Sequence, residues 1–284
     1  MKHWRFFPIL VKEEVLKNMD VSDRLSFSKC SKKSRNLLSR IPNHLECFRI
    51  PDDSRFSNDD FLVLMTCRKS TIQNLIVEIE LSDERYQVMQ FLLKLNEVRN
   101  SLKVKKLIME LSPEYSEMFK KCIDFCDPSF IESIEIEGLD SQEVYEDILK
   151  TPHWKNSREV LLNGDYLLEM NLNDFLHFKS ISLNVEELSV DDAWKLVQNF
   201  LTNESENDSL DIRTEVPIKI DLIRHKIETE LVGDWKGMTH NYIRFAVHPK
   251  NPQLILRCMY EWYRFNVEFI APERFDFYRP WFLN

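Results

Sequence analysis

Cys122 and Cys126 stand four residues apart, a spacing that on a helix puts two thiols on one face, where further ligands could complete a tetrahedral metal site. No second pair follows to complete it. The seven histidines, His3, His44, His153, His177, His225, His240 and His248, never fall at HxxxH spacing. The helix expected around the two thiols is apolar, so packed cysteines are expected there and no metal. Paired acids such as Asp191 and Asp192 follow Ser189, and at a helix start carboxylates are favoured by the helix dipole without any acid-base role. No Gly-x-Ser-x-Gly elbow presents a nucleophile. Only four glycines occur, Gly138, Gly164, Gly233 and Gly237, and they do not cluster as a phosphate-cradling loop requires. The residues therefore point away from nucleotide-dependent catalysis. The expectation is a protein that is not an enzyme and holds neither cofactor nor metal.

The chain has 284 residues, enough for one or two domains with a sizeable core. Its six cysteines show no framework spacing, which suits reduced thiols rather than a disulfide scaffold. The first apolar stretch runs for only about six residues before charge resumes, short for a signal-peptide core, and no run reaches the roughly 18 residues of a membrane span. A soluble protein of the cytoplasm, the nucleus or both is expected. Residues 1 to 49 carry eleven Lys or Arg against five Asp or Glu, a balance of +6, which leaves −15 on the remainder of a chain whose total is −9. A basic head on an acidic body is a poor nucleic-acid binder, because such binding rests on neutralising phosphates.

Residues 7 to 38 read as three short helices with breaks at Asp20 and near Ser31. Pro8 fits a first helical turn, Val11, Val15 and Met19 recur at i+4, and Ser22 is the expected N-cap of the second helix. Leu25, Phe27 and Cys30 are expected on the exposed side of the second helix, and Leu37 and Leu38 on that of the third. Helices this short are marginal alone, so a partner or the following residues must cover them.

Beyond this head, an apolar-x-x-apolar-x-apolar strand signature recurs: Leu45, Phe48, Ile50; Ile72, Leu75, Val77; Val104, Leu107, Met109; Ile131, Ile134, Ile136; Val160, Leu162; Phe178, Ile181, Leu183; and, weaker, Leu210, Ile212. The spacing, about 21 to 32 residues, is that of leucine-rich-repeat units. Helical patterns lie between, over 61–66, 84–98, 114–125, 142–149, 166–175 and 190–201. Ser82, Ser112-Pro113 and Ser189 are placed to open helices. From about Pro217 the period changes to two, in Ile243, Phe245, Val247, then Leu254, Leu256, then Tyr263, Phe265, Val267, Phe269, with an aromatic tail of Phe275, Phe277, Tyr278, Trp281 and Phe282. The expected fold is α/β: an N-terminal three-helix head at 1–43, an irregular leucine-rich-repeat-like strand-helix solenoid at 44–215, and a small antiparallel β cap with the aromatic tail at 216–284.

The head resembles an F-box. The resemblance rests on Phe7-Pro8, the apolar set Val11, Val15, Leu16 and Met19, the Asp20 turn, Leu25-Ser26, and Cys30-Ser31-Lys32. Divergent F-boxes of the nematode-expanded type share the Ser28-Lys29-Cys30-Ser31-Lys32 run. Residues about 160–270 are similar to the F-box-associated domain, type 2-like, found behind such F-boxes. The resemblance implies a substrate-recognition subunit of a Skp1-cullin-F-box ubiquitin ligase, which binds Skp1 and through it cullin and RING subunits, and carries a target to ubiquitination and proteasomal degradation. The alternatives are a ligase-independent leucine-rich-repeat scaffold, or an antidote-type binder of a foreign or selfish-element protein.

Contact with Skp1 is expected from Pro8, Ile9, Leu10, Val15, Leu16, Leu25 and Cys30, with Lys32 at the rim. On the strands, period-two alternation turns the neighbours of the core residues outward. Those neighbours are Ile76 and Glu78, Ile108 and Glu110, Glu135 and Glu137, Leu161 and Asn163, Ser182 and Asn184, then Asp211 and Arg213. They form an acidic stripe beside an apolar one that suits a basic protein target. Trp262, Tyr278 and Trp281 offer a second recognition region.

Overall fold

The computed structural model describes residues 7–50, 58–65, 67, 69–79, 82–98, 101–112, 115, 117–163, 170–202, 208–230, 236–237, 243–247 and 255–270. The chain forms two compact units, Met1–Glu132 and Ser133–Asn284.

The first unit opens with three helices, α1 (Ile9–Lys17), α2 (Val21–Cys30) and α3 (Lys32–Leu38). The breaks between them are capped. Asp20 Oδ1 accepts the Asp23 N–H at 2.8 Å and Ser31 Oγ accepts the Ser34 N–H at 3.1 Å, each meeting one orphan donor of a helix start. Asp20, not Ser22, is thus the cap of α2. Loss of such a cap typically costs about 1 kcal/mol, so Asp20→Ala is expected to lower the unfolding free energy by that amount, read in urea unfolding as a lower midpoint at an unchanged m-value. Leu16, Leu38 and Ile41 form the buried centre of the helices, with Met19, Phe27 and Leu37 packed against it.

Next come β1 (His44–Ile50), α4 (Asn58–Met65), β2 (Thr71–Ile79), α5 (Ser82–Val98), β3 (Val104–Leu111) and α6 (Glu117–Asp124). The strands run parallel in sequence order, with Phe48 opposite Leu75 and Leu75 opposite Leu107. Ile72, Leu75, Val77 and Ile79 are buried while Ile76 and Glu78 are half-buried, the alternation expected of a strand with one face on a core. Phe61 of α4 stacks on Phe48 at 3.8 Å between ring centroids, and Phe91 of α5 lies 5.3 Å from Phe61.

The second unit begins with β4 (Ser133–Glu137), α7 (Gln142–Leu149), α8 (Pro152–Asn156), β5 (Glu159–Asn163), a 3-10 turn at Leu172–Phe175, β6 (Ser180–Val185), α9 (Val190–Phe200) and β7 (Ser209–Thr214). Strands β4 to β7 pair parallel in order. Ser189 caps α9, its Oγ accepting the Asp192 N–H at 3.1 Å. Of the helix expected over 166–175, residues 172–175 form the 3-10 turn, and 166–169 lie outside the described residues. Trp154 of α8 is buried, with Phe175 and Phe178 edge-on at 5.5 and 4.9 Å.

Then follow α10 (Ile220–Glu230), β8 (Lys236–Gly237), β9 (Ile243–Val247), β10 (Ile255–Glu261) and β11 (Arg264–Ile270). The last strands are antiparallel, and β11 joins the sheet on the free edge of β7, giving the order β7-β11-β10-β9-β8. Phe269 stacks on Phe200 of α9 at 4.7 Å. Helix α10 corrects the expectation of β structure alone after residue 216. Its Ile223 and Ile227 are fully buried, and that i, i+4 pair drives a helix where the surrounding alternation suggested strand.

The architecture is therefore mixed α/β, with an N-terminal helical head and largely parallel pairing. Among the described residues, no helix is long and apolar enough to cross a membrane.

Candidate docking surfaces

In α1 the peptide begins with Pro8, whose carbonyl accepts the Lys12 N–H at 3.1 Å. The helix is apolar around more than one face. Leu16 turns inward, while Ile9, Val11 and Val15 are about half exposed and Leu10 is 74% exposed. Phe7 before the helix is exposed as well. Contiguous apolar surface of this kind marks a docking face. Cys30 and Lys32 are exposed at the α2–α3 junction.

Two of the residues expected on this surface are not on it. Leu16 is 0% and Leu25 5% exposed, and Leu16 is taken up by the core the short helices form with Leu38 and Ile41. Leu38 is likewise inside, and of the pair expected outward in α3 only Leu37 remains partly accessible. Phe7 and Val11 were available from the motif and the i+4 stripe as surface residues, and the structure adds both.

A polar joint fixes the three helices to the rest of the first unit. The Arg24 guanidinium donates to the Met19 carbonyl at 2.9 Å, the Lys17 carbonyl at 2.8 Å and Asn43 Oδ1 at 2.8 Å. Burial lowers the Arg24 pKa, opposed by Asp20. Asn43 is itself buried. Its amide donates to the Leu64 carbonyl at 2.7 Å, its N–H to Ser70 Oγ at 3.0 Å, and its carbonyl accepts the Thr71 N–H at 2.9 Å.

The outward strand positions lie as the register requires. In the first unit Ile76 is opposite Ile108 and Glu78 opposite Glu110, and Arg49 pairs with Glu78 at 2.5 Å. In the second unit Glu135 is opposite Leu161 and Glu137 opposite Asn163, whose Nδ2 donates to Glu137 Oε1 at 3.2 Å. Asn184 lies opposite Arg213. Asp211 holds Arg264 through two hydrogen bonds, 2.6 and 3.0 Å, and that hydrogen bonding raises the Arg264 pKa. Part of the acidic stripe is thus neutralised within each unit. Trp262 sits in the β10–β11 turn, 62% exposed; Tyr278 and Trp281 lie outside the described residues.

No group of three or more metal-ligating side chains occurs among the described residues. Cys122 and Cys126 are packed in α6 and just after it. Burial pushes the Cys122 thiol up to about 12 and raises that of Cys126 further, with the neighbouring Cys122 and Asp127 adding to it. Thiolate is the reactive form, so iodoacetamide at pH 8 is expected to modify Cys30 in the folded protein and spare Cys122 and Cys126. Peptide mass mapping checks this.

Two families of known proteins match parts of the chain. Residues 4–46 match the F-box domain, the class that the α1–α3 head defines. Residues 86–225 match the FTH domain. The chain thus has the nematode-expanded F-box/FTH architecture. The FTH match begins within α5, ahead of the residues near 160 where the second resemblance starts, and ends within α10. No curated protein and no solved structure matches the chain. The F-box domain is in general the Skp1-binding module of substrate receptors, and F-box/FTH proteins are adaptor-type receptors rather than enzymes.

Proposed function

We propose that this chain is the substrate-recognition subunit of a Skp1-cullin-F-box ubiquitin ligase, acting in the cytoplasm, the nucleus or both. The observation that carries this reading is the uncovered apolar face of α1, with Leu10 at its most exposed point, in a segment that matches the F-box domain. Pro8, Ile9, Leu10, Val11 and Val15 supply the adaptor contact, and Cys30 and Lys32 a second contact at the α2–α3 junction. Central apolar anchors dominate such interfaces and rim charges count for less.

Target capture falls to the residues behind the F-box. The outward positions Ile76, Glu78, Ile108 and Glu110 in the first unit, and Glu135, Glu137, Leu161, Asn163 and Asn184 in the second, are the surface offered to a protein target. Parallel pairing of β1 to β3 in the first unit, and of β4 to β7 in the second, each strand beside its sequence neighbour, supports a leucine-rich-repeat-like array as the platform. The receptor does no chemistry; it raises the local concentration of a target lysine at the charged ubiquitin.

The test is co-expression of the full chain with a Skp1-type adaptor, followed by size-exclusion chromatography and addition of a cullin-RING module. One co-eluting complex is expected. Separate elution of a folded chain and adaptor would overturn the proposal.

A further inference from the structure

Every large hydrophobic side chain described as exposed in the second unit belongs to one neighbourhood: Val216, Leu222, Trp262 and Tyr263, between 39% and 62% exposed. The backbone ties them together. The Trp262 carbonyl accepts the Ile218 N–H at 2.7 Å and the Tyr263 carbonyl accepts the Thr214 N–H at 3.0 Å, so the β10–β11 turn is laced to the segment that leads from β7 into α10. Between them opens a cleft of about 660 Å³ bounded by Ile218, Ile220, Leu222 and Trp262, with Lys219 and Arg224 on its walls.

The turn itself does not require these aromatics. Glu261 pairs with Arg264 across the two residues Trp262 and Tyr263, positions where Asn, Asp and Gly are the usual occupants of a two-residue hairpin. Two large rings held in water at a tight turn are a surface made for a partner, and Trp and Tyr are the residues most often found as interface anchors.

Charge selects the kind of partner. Both cations of the cleft are committed, Lys219 to Glu187 at 3.0 Å and Arg224 to Asp221 at 2.8 Å. Arg264 is held by Asp211. The other exposed carboxylates are Glu186 and Glu215, together with Glu261, which also faces Arg264 across the turn and adds to raising its pKa. Glu215 and Val216 donate their N–H groups to the Glu186 carbonyl, which keeps Glu186 and Glu215 beside the apolar strip. Glu261 directly precedes Trp262. Against these three stands one further exposed cation, Arg213.

We propose that this end of the second unit binds a basic segment of a protein partner, an Arg or Lys stacking on Trp262 with its charge shared by Glu261 and Glu215, and an aliphatic neighbour entering the cleft beside Leu222. A cation over an indole face is the strongest of the cation–π pairs, and acidic residues at its rim steer the encounter. The inference deepens the reading of the chain as a target receptor, and rests on it only for the partner being a ligase target.

The test uses the full chain in complex with a Skp1-type adaptor and a fluorescein-labelled peptide of repeating Gly-Arg-Leu triplets, read by fluorescence anisotropy. The same peptide with Glu in place of Arg is the control. The basic peptide is expected to bind and the acidic one not to. Trp262→Ala is expected to weaken binding at least about tenfold, roughly 1.4 kcal/mol, as is Glu215→Lys combined with Glu261→Lys. Trp262→Leu, which keeps apolar area and removes the ring, should fall between. The inference is overturned if the basic peptide does not bind at millimolar concentration, if the acidic peptide binds equally, or if Trp262→Ala binds as the parent does. Adaptor retention is followed in the same samples. A complex that keeps its adaptor and ignores the peptide refutes this site alone, and a chain that binds the peptide without ever holding the adaptor refutes the ligase reading alone.

Discussion

A chain carrying Leu10→Glu and Val15→Glu is expected to lose at least about tenfold in affinity for a Skp1-type adaptor, roughly 1.4 kcal/mol or more, with its thermal midpoint unchanged. Both side chains are exposed on α1, Leu10 at 74% and Val15 at 44%, so carboxylates there meet water in the free protein at little cost. In the complex the same carboxylates must be desolvated against an apolar partner with no counter-charge, which is among the most costly changes an interface can suffer. Leu16→Ala separates this effect from folding. That side chain is completely buried in the Leu16, Leu38, Ile41 core, and core Leu-to-Ala changes typically cost about 2–5 kcal/mol of stability. Its loss of adaptor binding should track unfolding, whereas the double Glu variant should lose binding while folded. Isothermal titration beside circular dichroism distinguishes the two; wild-type affinity in the folded double variant would place the adaptor elsewhere.

Trp154→Ala is expected to be the most damaging single truncation in the second unit, at about 3–5 kcal/mol. Its ring is buried between Phe175 and Phe178 in edge-to-face contacts, and such pairs add to the area term. The indole N–H donates to the Asp174 carbonyl at 3.3 Å, and the Trp154 backbone carbonyl contacts His177 Nε2 at 2.9 Å. The residue thereby fixes the 3-10 turn, whose four residues could not hold their conformation by local hydrogen bonds alone. Urea unfolding with an unchanged m-value checks the magnitude; a loss under about 1 kcal/mol would show that the aromatic trio relaxes to fill the space.

The strands are readable from sequence because five of the seven put three apolar side chains at the i, i+3, i+5 positions of one short segment and the other two keep the last pair, and Phe48, Leu75, Leu107, Ile134, Val160, Ile181 and Leu210 are all buried within or beside the strands so marked. Helix α10 was less readable. Ile223 and Ile227 carry its period, but the segment adjoins longer runs of period two, and those dominate the local pattern. In α1 the difficulty was of another kind. Ile9, Leu10, Val11, Val15 and Leu16 are apolar around much of the helix, so periodicity could not say that Leu16 faces in and Val15 out; only the position of Leu38 and Ile41 decides it. The Trp262 neighbourhood was half visible. A Trp in a turn is notable in a sequence, but its company of Val216 and Leu222 exists only once β11 has paired with β7.

The Asn43 joint bears on whether this F-box is a transferable cassette. The family match ends at residue 46, inside β1, and the partners that Asn43 needs, Leu64, Ser70 and Thr71, lie beyond that limit. A graft of residues 4–46 onto a foreign scaffold would keep the Arg24 bonds and the Asn43 amide bond to the Ile41 carbonyl, but would remove the bonds of Asn43 to Leu64, Ser70 and Thr71, each such group costing about 1–3 kcal/mol if it stays buried and unmet. Swaps between relatives should therefore exchange the head together with α4 and the start of β2, so that Asn43 keeps its partners.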